Sequence, residues 1–180
     1  MTASYKYQDH LETSRLLTRL LTPEDCLVWS GFFDDKEAVA FLPTFDLTSN
    51  TDRAKHWIER QLCRYNENKF GLQALIHKET KEFIGQCGLI KQEVDGKVEI
   101  EVGYHLLKKY WGNGYATEAA KVFMDYAFQN NLTNSIISII DIRNIRSQRV
   151  ADKNELTREK QTKWSEIDVY IYRIDKKIWK

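Results

Sequence analysis

Residues 101–120 read EVGYHLLKKYWGNGYATEAA, and the hydrophobic period changes inside them. Upstream, Val98, Ile100 and Val102 alternate with Glu99, Glu101 and Gly103, the two-residue period of a strand over Lys97–Leu107. Downstream, Thr117–Gln129 (TEAAKVFMDYAFQ) repeats its apolar residues at helical spacing and is stopped by Asn130 and Asn131. The turn between them holds Gly112 and Gly114, in a chain of 180 residues with 8 Gly and 2 Pro. Average usage would give roughly 21 of the two together, so the cluster stands out. Glycines at such a turn let the backbone bend and let a ligand approach its N–H groups. The following helix aims unpaired N–H groups and a positive dipole end at the same spot. This suits a phosphate or pyrophosphate, although a strand-to-helix turn that binds nothing uses the same glycines. No Gly-Lys-Ser/Thr follows, which excludes a P-loop. The third glycine of the dinucleotide fingerprint is missing, and the strands before the turn are antiparallel.

Working outward, Asp95-Gly96 is a tight hairpin turn that joins this strand to Phe83–Lys91 (FIGQCGLIK). The polar turn HKETKE joins that strand to Phe70–His77 (FGLQALIH). Beyond the helix, Ser135–Ile142 (SIISIIDI) is nearly all apolar and reads as a strand buried on both faces. Residues 144–154 form a short helix, and Leu156–Trp179 two strands around a Lys/Ser turn. At the other end, residues 1–10 read as a polar arm and Ser14–Leu21 as a first strand. Thr22-Pro23-Glu24-Asp25 starts a helix that runs to about Gly31. Asp34 and Asp35 open another short helix, ended by Pro43 and the loop PTFDLTSN. Thr51 or Asp52 caps a longer helix with Ala54, Trp57, Ile58, Gln61, Leu62 and Tyr65 at helical spacing. The order predicts an α/β fold: one domain over residues 1–180, with a mixed, mostly antiparallel sheet of six to seven strands and helices on both faces.

Composition narrows the function classes. The 27 basic and 26 acidic residues leave a net charge of +1, which argues against a nucleic-acid binder. Cys26, Cys63 and Cys87 are odd in number and fit the reduced thiols of a cytoplasmic protein. They share no metal spacing, and His10, His56, His77 and His105 are scattered singly, so no metal is expected. No apolar run reaches the ~20 residues of a membrane span. The opening MTASYKYQDH lacks the apolar core of a signal peptide.

The run Tyr110–Ala119 (YWGNGYATEA) resembles the acetyl-CoA loop of the GNAT N-acetyltransferases. It is most similar to the branch that includes the bacterial ribosomal-protein alanine N-acetyltransferases. Further motifs in order carry the resemblance over nearly the whole chain: Thr13–Arg19 (TSRLLTR), Phe83–Gly88 (FIGQCG), Glu101–Tyr104 (EVGY), Asn144–Val150 (NIRSQRV), Asp168–Tyr170 (DVY) and Trp179. The resemblance implies the GNAT fold, acetyl-CoA as cosubstrate, and direct attack by a primary amine without a covalent enzyme intermediate. The amine belongs to a small molecule (a polyamine, amino acid or amino sugar) or to a protein N-terminus. Dimers are common in the family, so a homodimer is an expected state. Backbone N–H groups of Gly112, Asn113, Gly114, Tyr115, Ala116 and Thr117 are implied to hold the pyrophosphate. Trp111 stands where the broader family has Gln or Arg. The pantetheine arm is implied to run beside Tyr104, His105 and Leu106 like an added strand. Asn144 is implied to contact the cofactor, with Ser147 near its sulfur, and Arg149 to contact the cofactor or only an acidic neighbour.

Acetyl transfer to an amine requires that the ammonium lose a proton, and the leaving thiolate benefits from a proton or hydrogen bond. Glu101, matching the family's E-x-G-Y motif, is the candidate base through a water; the plainer reading is a strand residue facing solvent, like Glu99. Ser147 is the candidate thiolate partner; the plainer reading is a helix-surface hydroxyl. The Tyr that many relatives place four residues later is Ala151 here, so a Tyr acid is excluded at that position. The family closes this helix with Gly-Phe. This chain has Glu155-Leu156, with Asn154 the candidate for the left-handed cap. His56 faces out or into the acceptor cleft, a surface role being the plainer reading, and His105 reads as contributing backbone. Lys108 and Lys109 read as exposed, although either could meet cofactor phosphates. Most of Trp29, Phe32, Phe33, Phe41 and Phe45 belong to the core, with one or two in the acceptor pocket. The rival class is a catalytically silent CoA-binding sensor or partner-interaction module, told apart by cofactor binding without turnover.

Overall fold

The computed structural model describes residues 7, 9–43 and 49–179. The elements run β1 (Leu16–Arg19), α1 (Asp25–Asp34), α2 (Lys36–Val39), α3 (Asn50–Asn66), β2 (Leu72–His77), β3 (Phe83–Val94), β4 (Lys97–Leu106), α4 (Tyr115–Gln129), β5 (Ser135–Asp141), α5 (Ile145–Lys153), β6 (Thr157–Trp164) and β7 (Ile167–Asp175). One seven-stranded sheet has the order β1-β2-β3-β4-β5-β7-β6. Every pairing is antiparallel except β4 with β5. That parallel pair needs a crossover, and α4 supplies it.

The two hairpin turns explain the long antiparallel ladders. Asp95 and Gly96 both have positive φ (49° and 73°), as do Ser165 and Glu166 (47° and 64°). Such turns match the twist of the strands they join. The last hairpin therefore turns at Ser165-Glu166.

Two apolar layers cover opposite faces of the sheet. One joins α4 and α5 to the strands through Phe123, Met124, Ala127, Ala151, Leu75, Leu89, Ile136 and Ile140. The other joins α1 and α3 to β2 and β3 through Trp29, Phe32, Phe33, Trp57, Ile58, Leu72, Ala74 and Ile90. Ile136 and Ile140 face the first layer, while Ile137 belongs to a third cluster with Val94, Val169 and Ile171. This is why β5 reads as uniformly apolar.

Several local expectations are corrected. Tyr7, placed in a polar arm, is buried, and its hydroxyl accepts from the Leu89 N–H at 3.0 Å. Its place beside Phe70, Phe123 and Tyr126 explains the burial. The first helix continues past Gly31 to Asp34, because Trp29, Phe32 and Phe33 all find core partners. The Asp25 carboxylate accepts from the Thr22 N–H at 2.8 Å, so the Thr-Pro-Glu-Asp start is capped from inside the helix. The long helix is capped by Ser49, whose hydroxyl accepts from the Asp52 N–H, rather than by Thr51 or Asp52. Phe45 and most of the PTFDLTSN loop lie outside the described residues.

Candidate active site

The parallel ladder between β4 and β5 is in register at Glu101↔Ile137 and goes no further toward Leu106. Two side chains occupy the fork. Ser138 Oγ donates to the Val102 carbonyl at 3.3 Å, and the Ile139 N–H donates to Glu101 Oε1 at 3.4 Å. Each takes a group that a continued ladder would use. The two-residue hairpin at Asp95-Gly96 fixes which β4 groups face that fork. Alternation from the Val94↔Lys97 pair turns the amides of Val102, Tyr104 and Leu106 away from β3.

Two cavities open on the fork. One, of about 380 Å³, is lined by the end of β4, the glycine turn, the start of α4 and the start of α5. Of the sequence candidates it brings together Tyr104, His105, Leu106, Trp111, Gly112, Gly114, Tyr115, Ala116, Thr117, Asn144, Ser147 and Arg149. Asn113 is not in that lining. Its Nδ2 donates to the Tyr110 and Trp111 carbonyls, both at 3.2 Å, so its side chain holds the turn together. The second cavity, of about 190 Å³, contains Glu101 together with Trp57, Arg60, Gln61, Arg64, Gln92 and Trp164. Tyr104, His105, Asn144 and Ser147 line both.

The glycine turn is a cradle. Gly112 and Gly114 have φ of 80° and 81°, and Gly114 is the N-cap of α4. A Cβ at Gly112 would meet nothing within 4 Å, so the left-handed backbone, not crowding by protein, calls for glycine there. Trp111 Nε1 donates to the Leu106 carbonyl at 2.8 Å, which binds the turn back to β4. Arg15 braces it from the far side. Its Nη1 donates to the Asn113 carbonyl at 3.0 Å, its guanidinium pairs with Glu118 at 2.7 Å, and it stacks 4.4 Å above the Tyr115 ring. The open N-terminal turn of α4, the two left-handed glycines and the adjoining cavity fit the pyrophosphate of a coenzyme A thioester.

At the meeting of the cavities, the Tyr104 hydroxyl lies 2.9 Å from Ser147 Oγ and 3.0 Å from the Ser147 carbonyl. Burial pushes its pKa well above the usual tyrosine value. It is therefore a neutral hydrogen-bonding group. Asn144 caps α5 by accepting the Ser147 N–H at 3.1 Å, which fixes the serine at the cavity wall. Glu101 is buried. Gln92 Nε2 donates to its Oε2 at 2.8 Å. Burial raises its pKa, against the lowering effects of Gln92, the Ile139 N–H and the Arg64 charge. Glu99 does not share an exposed face with it, because Glu99 is paired bidentately with Arg173 at 2.8 and 3.1 Å. His105 packs edge-on to Trp57 at 5.0 Å and near Phe32 at 6.0 Å. Burial pushes its pKa down to about 4, so the imidazole is neutral at pH 7.

Lys108 pairs with Asp35 and Glu37, and Lys109 with Glu82; neither lines the larger cavity. His56 lies on the exposed side of α3, outside both linings. Phe32 and Phe41 reach a cavity wall, while Trp29 and Phe33 stay in the core. Cys87 is buried and its thiol pKa is pushed up by that burial. Among the described residues there is no cluster of His, Cys, Asp and Glu that could hold a metal, and no helix is long and apolar enough to cross a membrane.

The end of α5 corrects another expectation. Asn154 keeps φ of −96°, and Glu155 takes the left-handed position at 62°. Leu156 N–H donates to the Ala151 carbonyl and Glu155 N–H to the Asp152 carbonyl, the two bonds of a Schellman cap. Leu156 is buried. Glu155-Leu156 thus makes the turn expected of Gly-Phe, and Asn154 uses its amide instead to donate to the Thr117 carbonyl of α4 at 3.2 Å. Two features escaped the sequence reading. The Tyr104 hydroxyl could be placed only by the contact with α5. Arg60 and Arg64 had a signal: they stand three and seven residues after Trp57, on the same helical face.

Comparison with known proteins agrees with this geometry. Residues 15–157 match the family model of the acetyltransferase (GNAT) domain. The chain is 32% identical over 146 residues to the protein YkkB of Bacillus subtilis, covering 79% of this chain and 82% of YkkB. It is 30% identical over 177 residues to the uncharacterized N-acetyltransferase p20 of Bacillus licheniformis, covering 93% and 96%. Its fold is similar to that of the ribosomal-protein-S5-alanine acetyltransferase from Vibrio fischeri, with a TM-score of 0.75 at 18% identity over 96% of this chain and 100% of the other. The chain belongs to the GNAT family and is an N-acetyltransferase.

Proposed function

We propose that the chain transfers an acetyl group from acetyl-CoA to a primary amine by direct attack, across the point where the two cavities meet. The observation that carries this reading is the shared wall of Tyr104 and Ser147, with the glycine cradle on one side and the buried Glu101 on the other. The cosubstrate supplies an acyl thioester, a carbonyl carbon already activated toward an amine. Backbone N–H groups from Gly112 to Thr117 hold its pyrophosphate, and the free amide edge at Tyr104 and Leu106 holds the pantetheine arm. Asn144 and Arg149 sit along the same wall.

Glu101 receives the ammonium proton through a water, a task its raised pKa favours because a base works best with a pKa nearer the operating pH. Ser147 gives a hydrogen bond to the leaving sulfur. The Tyr104 phenol donates to the Ser147 carbonyl at 3.0 Å, and Ser147 Oγ, 2.9 Å from the phenol oxygen, can turn its own proton either to that oxygen or into the cavity. Incubating the purified protein with acetyl-CoA and a panel of amines and peptide N-termini, and following free thiol, tests the reading. Acetylated product is expected. Tight acetyl-CoA binding without product from any amine would assign the chain to the silent sensor class instead.

A further inference from the structure

α3 sends Trp57, Arg60, Gln61 and Arg64 into the smaller cavity. Arg64 is half-buried, and its Nη1 finds a neutral partner, the Gln61 Oε1 at 3.0 Å. That oxygen also accepts the Leu72 N–H at 2.9 Å. Among the described residues, neither Arg60 nor Arg64 has a carboxylate in ion-pair contact. The two carboxylates of the same cavity are served by other groups: Glu101 by Gln92 and the Ile139 N–H, and Asp141 by Arg143 at 2.6 Å. Among the described residues the cavity therefore has two cations, the half-buried Arg64 and the exposed Arg60, with no carboxylate in direct contact. They are also four residues apart on one helix, where like charges oppose each other. Burial first, and the Arg60 charge second, hold the Arg64 pKa below its ordinary value. Glu101 acts on Arg64 through space without touching it, and an anion that entered the cavity would meet both guanidinium groups directly.

The cavity is also dipolar, with Glu101 at the fork of β4 and β5 and the arginines on α3. Its volume of about 190 Å³ is below the ~300–1,000 Å³ of drug-sized ligand sites. Trp57, Phe41 and Trp164 supply its apolar walls. We propose that the acceptor is a small amine that carries its own carboxylate, an amino acid or close relative, with its ammonium at Glu101 and its carboxylate on the Arg64 and Arg60 guanidinium groups. This rests on the acetyl-transfer reading above. A polyamine would bring further positive charge against the two arginines, and a peptide N-terminus lacks the adjacent carboxylate.

The test compares free α-amino acids with their carboxamides, which keep the amine and lose the anion, beside spermidine and short peptides. Acids are expected to exceed their amides in kcat/KM by about 10- to 100-fold, the worth of a charge-assisted hydrogen bond. The difference should sit mainly in KM. Arg64→Gln should bring the acid-to-amide ratio near one, and Arg64→Lys, which keeps the charge but loses the fork, should restore part of it. Amides, spermidine or peptides used as well as the acids would overturn the proposal. Product from no amine at all would instead sink the acetyl-transfer reading. Calorimetric titration of glycine and glutamate into the CoA-loaded protein would then decide the site, with absence of binding, or equal binding by Arg64→Gln, overturning it.

Discussion

Replacing Glu101 with Gln separates its chemical role from its structural cost. The substitution keeps shape. The new Oε1 still accepts the Ile139 N–H, and Gln92, by rotating its amide, still pairs with the other terminus. What is lost is the ability to take a proton. General base catalysis is worth about 10²–10⁴ in rate, or roughly 3–5 kcal/mol of barrier. The loss should be largest at low pH, where the amine arrives protonated, and should shrink as pH rises and amines deprotonate unaided. Stability moves the other way. A buried carboxyl with a raised native pKa contributes stability that is fully present below the unfolded pKa and is lost as pH rises through the native value. At pH 8 the Gln variant should therefore melt no lower than the parent, with the gap closing toward pH 4.5. Thiol release measured from pH 5.5 to 9, with melting curves at the same pH values, reads both effects. An equal fold-loss at every pH would refute the base assignment. A fall in melting temperature matching the fall in rate would refute the claim that the carboxylate serves chemistry at a cost to folding.

Glu155→Gly places glycine at the left-handed C-terminal position of α5 and should stabilise by about 1 kcal/mol, a rise of roughly 2–4 °C for a chain this size; an unchanged or lower melting temperature would show that Glu155 is not strained. Gly114→Val puts a β-branched side chain at φ of 81°, where the left-handed backbone of the cradle is strained for it, with its Cβ 3.6 Å from the Arg15 guanidinium that braces the turn. It should weaken acetyl-CoA binding at least tenfold by titration, and undiminished affinity would dissociate the cradle from the cofactor. His105 is neutral because burial holds its pKa near 4. A lowered histidine pKa gives stability that is present above the unfolded value of 6.5 and lost as pH falls through 4. His105→Asn should therefore flatten the melting-temperature profile between pH 7 and 4, removing roughly 3 kcal/mol of pH dependence, and a profile as steep as the parent's would place that dependence elsewhere.

Local rules carried much of the fold. The period of two in Lys97–Leu107, the Asp95-Gly96 turn and the helical spacing of Thr117–Gln129 depend on neighbours a few residues apart, and each element formed within a few residues of its expected bounds. The fork at Glu101↔Ile137 was not legible, because it depends on how far two strands separated by a helix stay parallel. Tyr7 misled for a similar reason. Its surroundings in sequence are polar, and its partners lie on β3 and α4 and at Phe70.

The site divides along the same line. The glycine cradle was fixed by local backbone demands, since a turn into a helix with φ near 80° at two positions requires glycine whatever packs around it. The sequence alone therefore determined a left-handed glycine turn, its place between strand and helix, and, through resemblance, the family. Burial and charge partners belong to the tertiary structure. Packing of β4 against β5 buried Glu101, α5 brought Ser147 to the Tyr104 hydroxyl, and α3 left Arg60 and Arg64 facing a cavity with no carboxylate in contact among the described residues. Desolvation and ion pairing act through space between residues tens of positions apart in the chain, and no period or motif records the distance between them.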